Sequence, residues 1–340
     1  MVSERSLEVL RVIVQDYVAS REPVGSKSIV ERHSFGVSAA TIRNDMAALE
    51  EEELIAAPHT SSGRVPTDKG YRLFVDQLAD LKPLTSAQRQ AIEVFLGQSV
   101  DVDDVLARTV RLLSQLTHQV ALVQYPSVST ARIRHVEFVP VAPQRVLCVL
   151  IADTGVIGQR VAELSSGADE ALISELRARA NAAIAGCKLA DAGQRLREIE
   201  DQFGERHRRA ASTIITALID QIESARQEKL VMAGAANLVR TEHDFTGSIY
   251  PVLEAIEQQV ELLKLFGEMA TDQHGVSVSI GRENAPFGLP ETAVLASGYA
   301  GGGGTLAHVG VLGPIRMDYS NNMAAVRAVA RYLSRRLGDD

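Results

Sequence analysis

The stretch from Ser26 to Pro66 constrains the chain most, because it reads as helix, tight turn, helix and β-hairpin in immediate succession. Ser26 to His33 has the make-up of a short helix, and Ser34-Phe35-Gly36-Val37 follows as a turn. Gly36 is free to take the left-handed backbone that a sharp helix-to-helix corner needs. Ser38 stands where an N-cap belongs, its hydroxyl placed to accept from orphan amides of the next helix. That helix, from Ala39 to about Glu53, buries Ile42, Met46 and Leu49 on one side. Its other side carries Ala39, Ala40, Arg43 and Asn44 over the first two turns. Small side chains admit a helix to the DNA major groove, and Arg and Asn bond base edges or phosphates there.

Two helices at this spacing also occur in small trihelical cores that never touch DNA, and the next residues weigh between the readings. Leu54 to Ala57 is a short strand, and Pro58-His59-Thr60-Ser61-Ser62-Gly63-Arg64-Val65-Pro66 contains a Ser-Ser-Gly turn flanked by His59 and Arg64. A hairpin directly behind a recognition helix is a wing, and an Arg near its tip is placed to reach phosphate or the minor groove. A winged helix-turn-helix is therefore the expected N-terminal fold. Residues 3–19 supply its third helix, with Leu7, Leu10, Ile13, Val14 and Tyr17 inward, ended by Glu22-Pro23-Val24-Gly25.

Here the sequence also resembles a family. Ser38-Ala-Ala-Thr41-Ile42-Arg43-Asn44-Asp45-Met46, Leu49-Glu50, Pro58 through Thr67 and Gly70-Tyr71-Arg72 are similar to the start of heat-inducible transcription repressors of the HrcA family. The C-terminal half carries the likeness on: Ser279-Ile280-Gly281-Arg282-Glu283-Asn284, Tyr299, and Gly310 through Tyr319. Ile315 stands where that family commonly has Thr. The resemblance implies a homodimer that binds an inverted-repeat operator in double-stranded DNA upstream of chaperonin and other heat-shock operons. It also implies dependence on a GroEL-type chaperonin, so that heat diverts the chaperonin to unfolded clients and active repressor falls.

Composition both permits and strains this reading. The chain of 340 residues has room for two or three domains, and 46% apolar content fits a globular protein. No apolar run is long enough to span a bilayer, and charges interrupt what would be a signal core at Met-Val-Ser-Glu-Arg-Ser, so a cytoplasmic location is expected and no membrane partner. The net charge of −8 opposes nucleic-acid binding at face value, and residues 1–75 hold 9 Lys and Arg against 11 Asp and Glu. Distribution decides instead: Glu50 to Glu53 lie at the far end of the recognition helix, whereas Lys27, Arg43, Arg64 and Lys69 share the expected DNA side. Arg43 and Asn44 are the candidate base readers, Ser38 and Thr41 lie near the DNA backbone, and Lys27, Arg64 and His59 are placed for phosphate or the wing-side groove. Modest affinity per subunit follows, with dimerisation needed for tight binding.

The remainder reads as α+β. Thr67 to about Ala79 is a helix with Tyr71, Phe74, Val75 and Leu78 inward, and Lys82 to Ser86 is a linker. Helices follow at about 87–96 and 102–118, the second with Val105, Leu106, Leu112, Leu113 and Leu116 on one face. Strand-like segments at 121–125, 133–141, 146–152 and 156–161 form an antiparallel meander. Residues 165–228 are helical throughout, with apolar stripes at Ile173/Leu176/Ile184, at Leu196/Ile199/Phe203, and at Ile214, Ile215, Leu218, Ile219 and Ile222. A helix at 252–269, strands at 276–281, 292–299 and 306–312 and a last helix at 322–337 complete the chain. The expected organisation is a DNA-binding domain at 1–80, a GAF-like antiparallel sheet domain at 87–164 and 229–340, and an inserted helical domain at 165–228. The stripe from Ile214 to Ile222 is the candidate dimerisation surface, with packing inside the subunit as the plainer alternative.

Catalytic and cofactor signals are weak. Gly301-Gly-Gly-Gly304-Thr305 runs into a strand rather than opening a helix, so a hairpin is expected in place of a nucleotide loop. The eight His lack metal-ligand spacing, and Cys148 and Cys187 lie in apolar segments as expected buried thiols. No metal, cofactor or enzymatic activity is expected. Arg316 is the one unusual charge, expected to pair with Glu283 or Asp318. A metabolite-controlled winged-helix repressor is the alternative function, and an enzyme with an accessory DNA-binding module a distant third.

Overall fold

The first helix is built from its own caps. In the computed structural model, Ser3 Oγ accepts from the Ser6 amide at 3.1 Å, and α1 runs Glu4–Ser20 until Arg21 turns left-handed at φ 63°. The structure describes residues 2–59, 62–78, 84–99, 101–126, 131–153, 155, 157–167, 169–226, 229–245, 247–269, 275–301 and 306–338. The buried stripe of α1 is Val9, Leu10, Val12, Ile13 and Val14, so Leu7 and Tyr17, expected inward, lie only half-buried at its margins. Helices α2 (Ser26–Arg32), α3 (Ala39–Glu51) and α4 (Asp68–Asp76) and the short pair β1 (Ile55–Ala56) and β2 (Val65–Pro66) complete this N-terminal region. Its core is Leu10, Ile13, Ile29, Ile42, Leu49, Ile55 and Phe74.

The chain divides into two compact units. The first comprises Met1–Val123, Leu230–Gly298 and His308–Ala330; the second comprises Gln124–Lys229, Tyr299–Ala307 and Arg331–Asp340. In the first, α5 (Ser86–Gly97) and α6 (Val102–Thr117) lead into a five-stranded sheet of order β7-β3-β10-β9-β8. Its strands are β3 (Val120–Gln124), β7 (Leu230–Ala233), β8 (Ser277–Ile280), β9 (Thr292–Ala300) and β10 (Leu306–Pro314). β10 pairs antiparallel with β3, and β8 with β9. Every residue of β3 is buried, the mark of a strand covered on both faces. Helices α11 (Tyr250–Gln258) and α12 (Val260–Glu268) share one core with this sheet through Val252, Leu262, Leu265 and Phe266. The single helix expected over 252–269 is thus two, parted where Gln259 adopts a left-handed backbone at φ 57°. The last helix, α13, spans Tyr319–Leu337, and α10 (Ala236–Arg240) follows β7.

The second unit corrects two expectations. Strands β4 (Ile133–Ala142), β5 (Arg145–Ala152) and β6 (Ile157–Glu163) pair only with one another, as an antiparallel sheet of order β4-β5-β6. They join α7 (Glu170–Ile184), α8 (Leu189–Glu200) and α9 (Glu205–Arg226) in a single hydrophobic core. The core that contains the helical block at 165–228 therefore also takes in these three strands, whose inner face the helices cover. The second correction follows from the first. Ile214, Ile215, Leu218, Ile219 and Ile222 are at most 7% exposed within this core, so the stripe proposed for dimerisation is already covered by its own chain. Cys148 and Cys187 are both buried and unpaired, and burial pushes the Cys148 thiol up to about 12. The Lys82-Pro83 part of the expected linker and the glycine-rich turn at 302–305 lie outside the described residues.

Candidate nucleic-acid interface

Helix α3 is held from within and left open without. Ser38 Oγ accepts from the Thr41 amide at 3.2 Å and lies 3.1 Å from the Thr41 hydroxyl, an N-cap that starts the helix where the sequence places it. The turn before it passes through Gly36 at φ 67°, a backbone that a side chain would strain. Inward, Ile42 and Leu49 are fully buried and Met46 nearly so. Outward, Ala40, Arg43, Asn44 and Ala47 are exposed at i, i+3, i+4 and i+7, one continuous face. Arg43 and Asn44 have no side-chain partner among the described residues. Their hydrogen-bonding capacity is open to a ligand.

A residue that pattern reading passed over sets the rotation of that face. Asp45, buried between Met46 and Asn44 in sequence, accepts from Arg5 Nε at 2.7 Å, from Arg5 Nη2 at 3.2 Å and from the Ser6 hydroxyl at 3.0 Å. The Arg5 hydrogen bonds hold its carboxyl below the usual carboxylate range, against the opposing effect of burial. The clamp joins the first turn of α1 to the middle of α3. Because Asp45 is bound inward, its neighbours Arg43 and Asn44 are turned out. An Asp on the apolar side of the helix, three residues after Ile42 and four before Leu49, was the available signal.

The hairpin behind α3 is short but doubly secured. Val24 and Arg64 exchange two backbone hydrogen bonds, each 2.9 Å, which adds a bridge beside β2. A Cβ on Gly63 would lie 2.6 Å from the carbonyl oxygens of Pro23 and Val24, so glycine permits that approach. The Ser62 hydroxyl donates to the His59 carbonyl at 2.7 Å and accepts from the His59 amide at 3.0 Å. Thr60 and Ser61, part of the expected wing turn, lie outside the described residues.

Placement of the candidate residues is uneven. Lys27, in the first turn of α2, and the His59 side chain are exposed, and Ser38 and Thr41 cluster at the start of α3. Arg64 departs from expectation: its Nε and Nη2 reach Glu50 Oε2 at 3.0 and 2.9 Å, and Nη1 donates to the Ser62 carbonyl at 3.2 Å. Its charge is matched by the carboxylate at the far end of α3, so it braces the hairpin rather than standing free. Lys69 likewise donates to the Glu52 carbonyl at 2.7 Å.

Arg316 pairs with neither Glu283 nor Asp318. It meets Asp244 in a two-pronged pair, Nε to Oδ1 and Nη2 to Oδ2 both at 2.7 Å, and donates from Nη1 to the Val18 carbonyl in the last turn of α1. Glu283 is taken instead by Arg72 of α4. Arg316 sits at the end of β10 and Asp244 after α10, residues whose approach depends on the sheet and is invisible in one dimension. Among the described residues no His, Cys, Asp or Glu cluster is arranged to hold a metal, and no described helix is long and apolar enough to cross a membrane.

Comparison with known proteins places this arrangement. Residues 103–323 match the family described as HrcA protein C terminal domain. The chain is 70% identical over 337 residues to the heat-inducible transcription repressor HrcA of Clavibacter michiganensis subsp. michiganensis, covering 99% of each chain. It is 68% identical over 339 residues to that of Leifsonia xyli subsp. xyli and 53% identical over 339 residues to that of Streptomyces albus G, covering 100% of both chains in each case. A solved structure described only as a hypothetical protein at 2.2 Å resolution shares the fold, with a TM-score of 0.68, 24% identity and 98% coverage of each chain. With its length, its C-terminal half and its sequence all matched, the chain belongs to the HrcA family of heat-inducible transcription repressors.

Proposed function

We propose that the chain represses heat-shock operons by binding, as a homodimer, an inverted-repeat operator in double-stranded DNA. Residues 2–78 act as a winged helix-turn-helix, with α3 in the major groove. The observation that carries this is the open face of α3: Ala40 and Ala47 are small enough for close approach, and Arg43 and Asn44 lie between them without internal partners. Arg43 and Asn44 read base edges, and Ser38 and Thr41 face the DNA backbone at the helix start. Lys27 and His59 meet phosphate from α2 and the hairpin. Arg64 supports the wing through Glu50 and adds little charge of its own. The cations left without an internal partner are what face the DNA: Arg5, Arg64 and Arg72 are matched by Asp45, Glu50 and Glu283, so the attraction rests on exposed residues such as Lys27 and Arg43.

Two chains pair through the open face of the three-stranded sheet in place of the buried α9 stripe. Cross-strand rows there run Val139–Leu147–Val161 and Ile151–Ile157, and Val139, Ile157 and Val161 are 42%, 59% and 38% exposed. Half-exposed β-branched residues in adjacent rows form the kind of patch that a partner covers. The five-stranded sheet with its helices serves as a GAF-like core. Activity is maintained by a GroEL-type chaperonin and falls when heat draws the chaperonin away; the family membership supports this. The experiment is selection of duplexes from a random pool with the full chain, followed by footprinting on chaperonin promoters. An inverted repeat protected in both half-sites supports the reading, and failure to enrich any duplex refutes it. Operator affinity after mild heating, with and without chaperonin, tests the control: equal affinity in both removes the chaperonin from the mechanism.

A further inference from the structure

The N-terminal region has its own core, yet two of its helices are fastened to the rest of the first unit at several separate points. At the end of α1, Arg316 donates to the Val18 carbonyl while holding Asp244 with both prongs at 2.7 Å. Arg21, the left-handed residue that stops α1, adds a third donor to Asp244 at 3.2 Å. Asp244 is 4% exposed and Arg316 is 12% exposed. On α4, Arg72 Nε reaches Glu283 Oε1 at 2.8 Å, and Nη2 reaches both Glu283 Oε2 and the Val278 carbonyl of β8, the latter at 2.7 Å. Asp68 of α4 accepts from the Arg282 amide at 3.2 Å. Between them the Tyr71 and Tyr319 rings lie buried with centroids 5.7 Å apart.

These contacts are directional rather than adhesive. The buried Arg316–Asp244 pair returns little net stability, since desolvation offsets most of its attraction, but it tolerates only one geometry. Arg72–Glu283, at 29% and 44% exposed, adds little stability as a partly solvated pair and acts through its two-edged contact. A planar guanidinium bound on two edges fixes orientation as well as distance. Because Leu10, Ile13, Ile42, Leu49 and Phe74 already close the N-terminal core, the anchors are not needed to build α3. They determine which way it points.

We infer that Arg316–Asp244 and Arg72–Glu283 are positioning pairs that hold the DNA-reading helix at a fixed angle to the five-stranded sheet of its own unit, and that the half-site spacing the dimer accepts depends on that angle. The inference rests on the operator reading above. Two recognition helices held at fixed angles meet half-sites at one separation; adding about half a helical turn, ~5 bp, carries one half-site to the opposite side of the duplex. A rigidly carried second helix binds as an intramolecular step with high effective concentration at the matching separation and little elsewhere. Freed helices accept more separations and bind the right one less tightly.

The test uses the full chain, an operator selected by the wild-type protein, the same operator with ~5 bp inserted between half-sites, and a single half-site duplex. For the wild type, insertion weakens binding at least about tenfold. Arg316→Gln and Arg72→Glu each bring that ratio close to one while leaving single half-site affinity unchanged. Adding Glu283→Arg to Arg72→Glu restores the ratio by re-forming the pair with reversed charges. Should Arg316→Gln fail to fold, the Arg72→Glu and double variants decide. Unaltered spacing ratios in folded variants overturn the inference, as does loss of half-site affinity in step with the ratio, which would make the anchors part of the reading fold itself. A wild-type chain that selects no duplex would instead refute the DNA reading.

Discussion

Replacing Arg43 by Ala isolates the proposed reading face of α3 from everything that holds the protein together. Arg43 is exposed and has no partner among the described residues, so its loss removes neither a buried contact nor an ion pair. Such surface changes alter stability by no more than about 0.5 kcal/mol. All of the effect should then appear in binding. A two-edged contact from Arg to a guanine discriminates by about 1–3 kcal/mol. Two such contacts in a symmetric complex double that to about 2–6 kcal/mol, or roughly 30-fold to more than 10,000-fold in the ratio of operator to random-sequence affinity. The assay is fluorescence anisotropy on both duplexes at one fixed salt concentration, since phosphate contacts make either affinity salt-dependent. The expected result is a large loss on operator and a small loss on random DNA. Equal losses on the two duplexes would show that Arg43 binds phosphate only, and the base-reading assignment would fail.

Other perturbations separate fold from function. Arg64→Ala removes the tie to Glu50 and is expected to lower stability by less than about 1 kcal/mol, the usual worth of a half-exposed pair, with operator affinity changed only severalfold; chemical denaturation and anisotropy check both. Asp45→Ala should cost about 1–3 kcal/mol, because it removes hydrogen bonds to a charged acceptor and loosens α3 from α1. The native Asp45 carboxyl is held below its unfolded value, so its contribution is fully present above the unfolded pKa of about 3.9 and is lost as pH falls through the lower native value. Asp45→Asn should therefore narrow its stability deficit as pH drops below about 4, and an unchanged deficit in acid denaturation would contradict the clamp. Ile214→Ala is expected to destabilise the second unit by about 2–5 kcal/mol with its dimerisation constant little altered, whereas Val161→Asp should dissociate the dimer without lowering the unfolding midpoint of the unit. Sedimentation of the two variants compares them directly.

What could be read in one dimension follows the range of the forces involved. Local rules reached far: the Ser38 cap, the Gly36 corner and the inward positions Ile42, Met46 and Leu49 of α3 all appear as the spacing implies. Periodicity alone marks a surface as apolar without saying what covers it. The stripe from Ile214 to Ile222 was legible as a stripe, but its cover is β4–β6 of the same chain, and that depends on which strands pair. Strand pairing also decided the division of the chain, since alternating segments at 133–163 pair among themselves and not with β3 or β10. Long-range charge pairs were the least accessible. Arg64 with Glu50 and Arg316 with Asp244 join residues that only the folded chain brings together.

A tethered cleavage reagent tests the central claim most directly. Cys148 and Cys187 are buried, so an Ala47→Cys variant presents one accessible thiol on the outer face of α3 for an iron chelate that cuts nearby DNA. With α3 in the major groove, cleavage of the operator falls in two short clusters related by the two-fold axis of the inverted repeat. Uniform cutting along the duplex, or none while the protein remains bound, would show that this face of α3 does not meet the DNA.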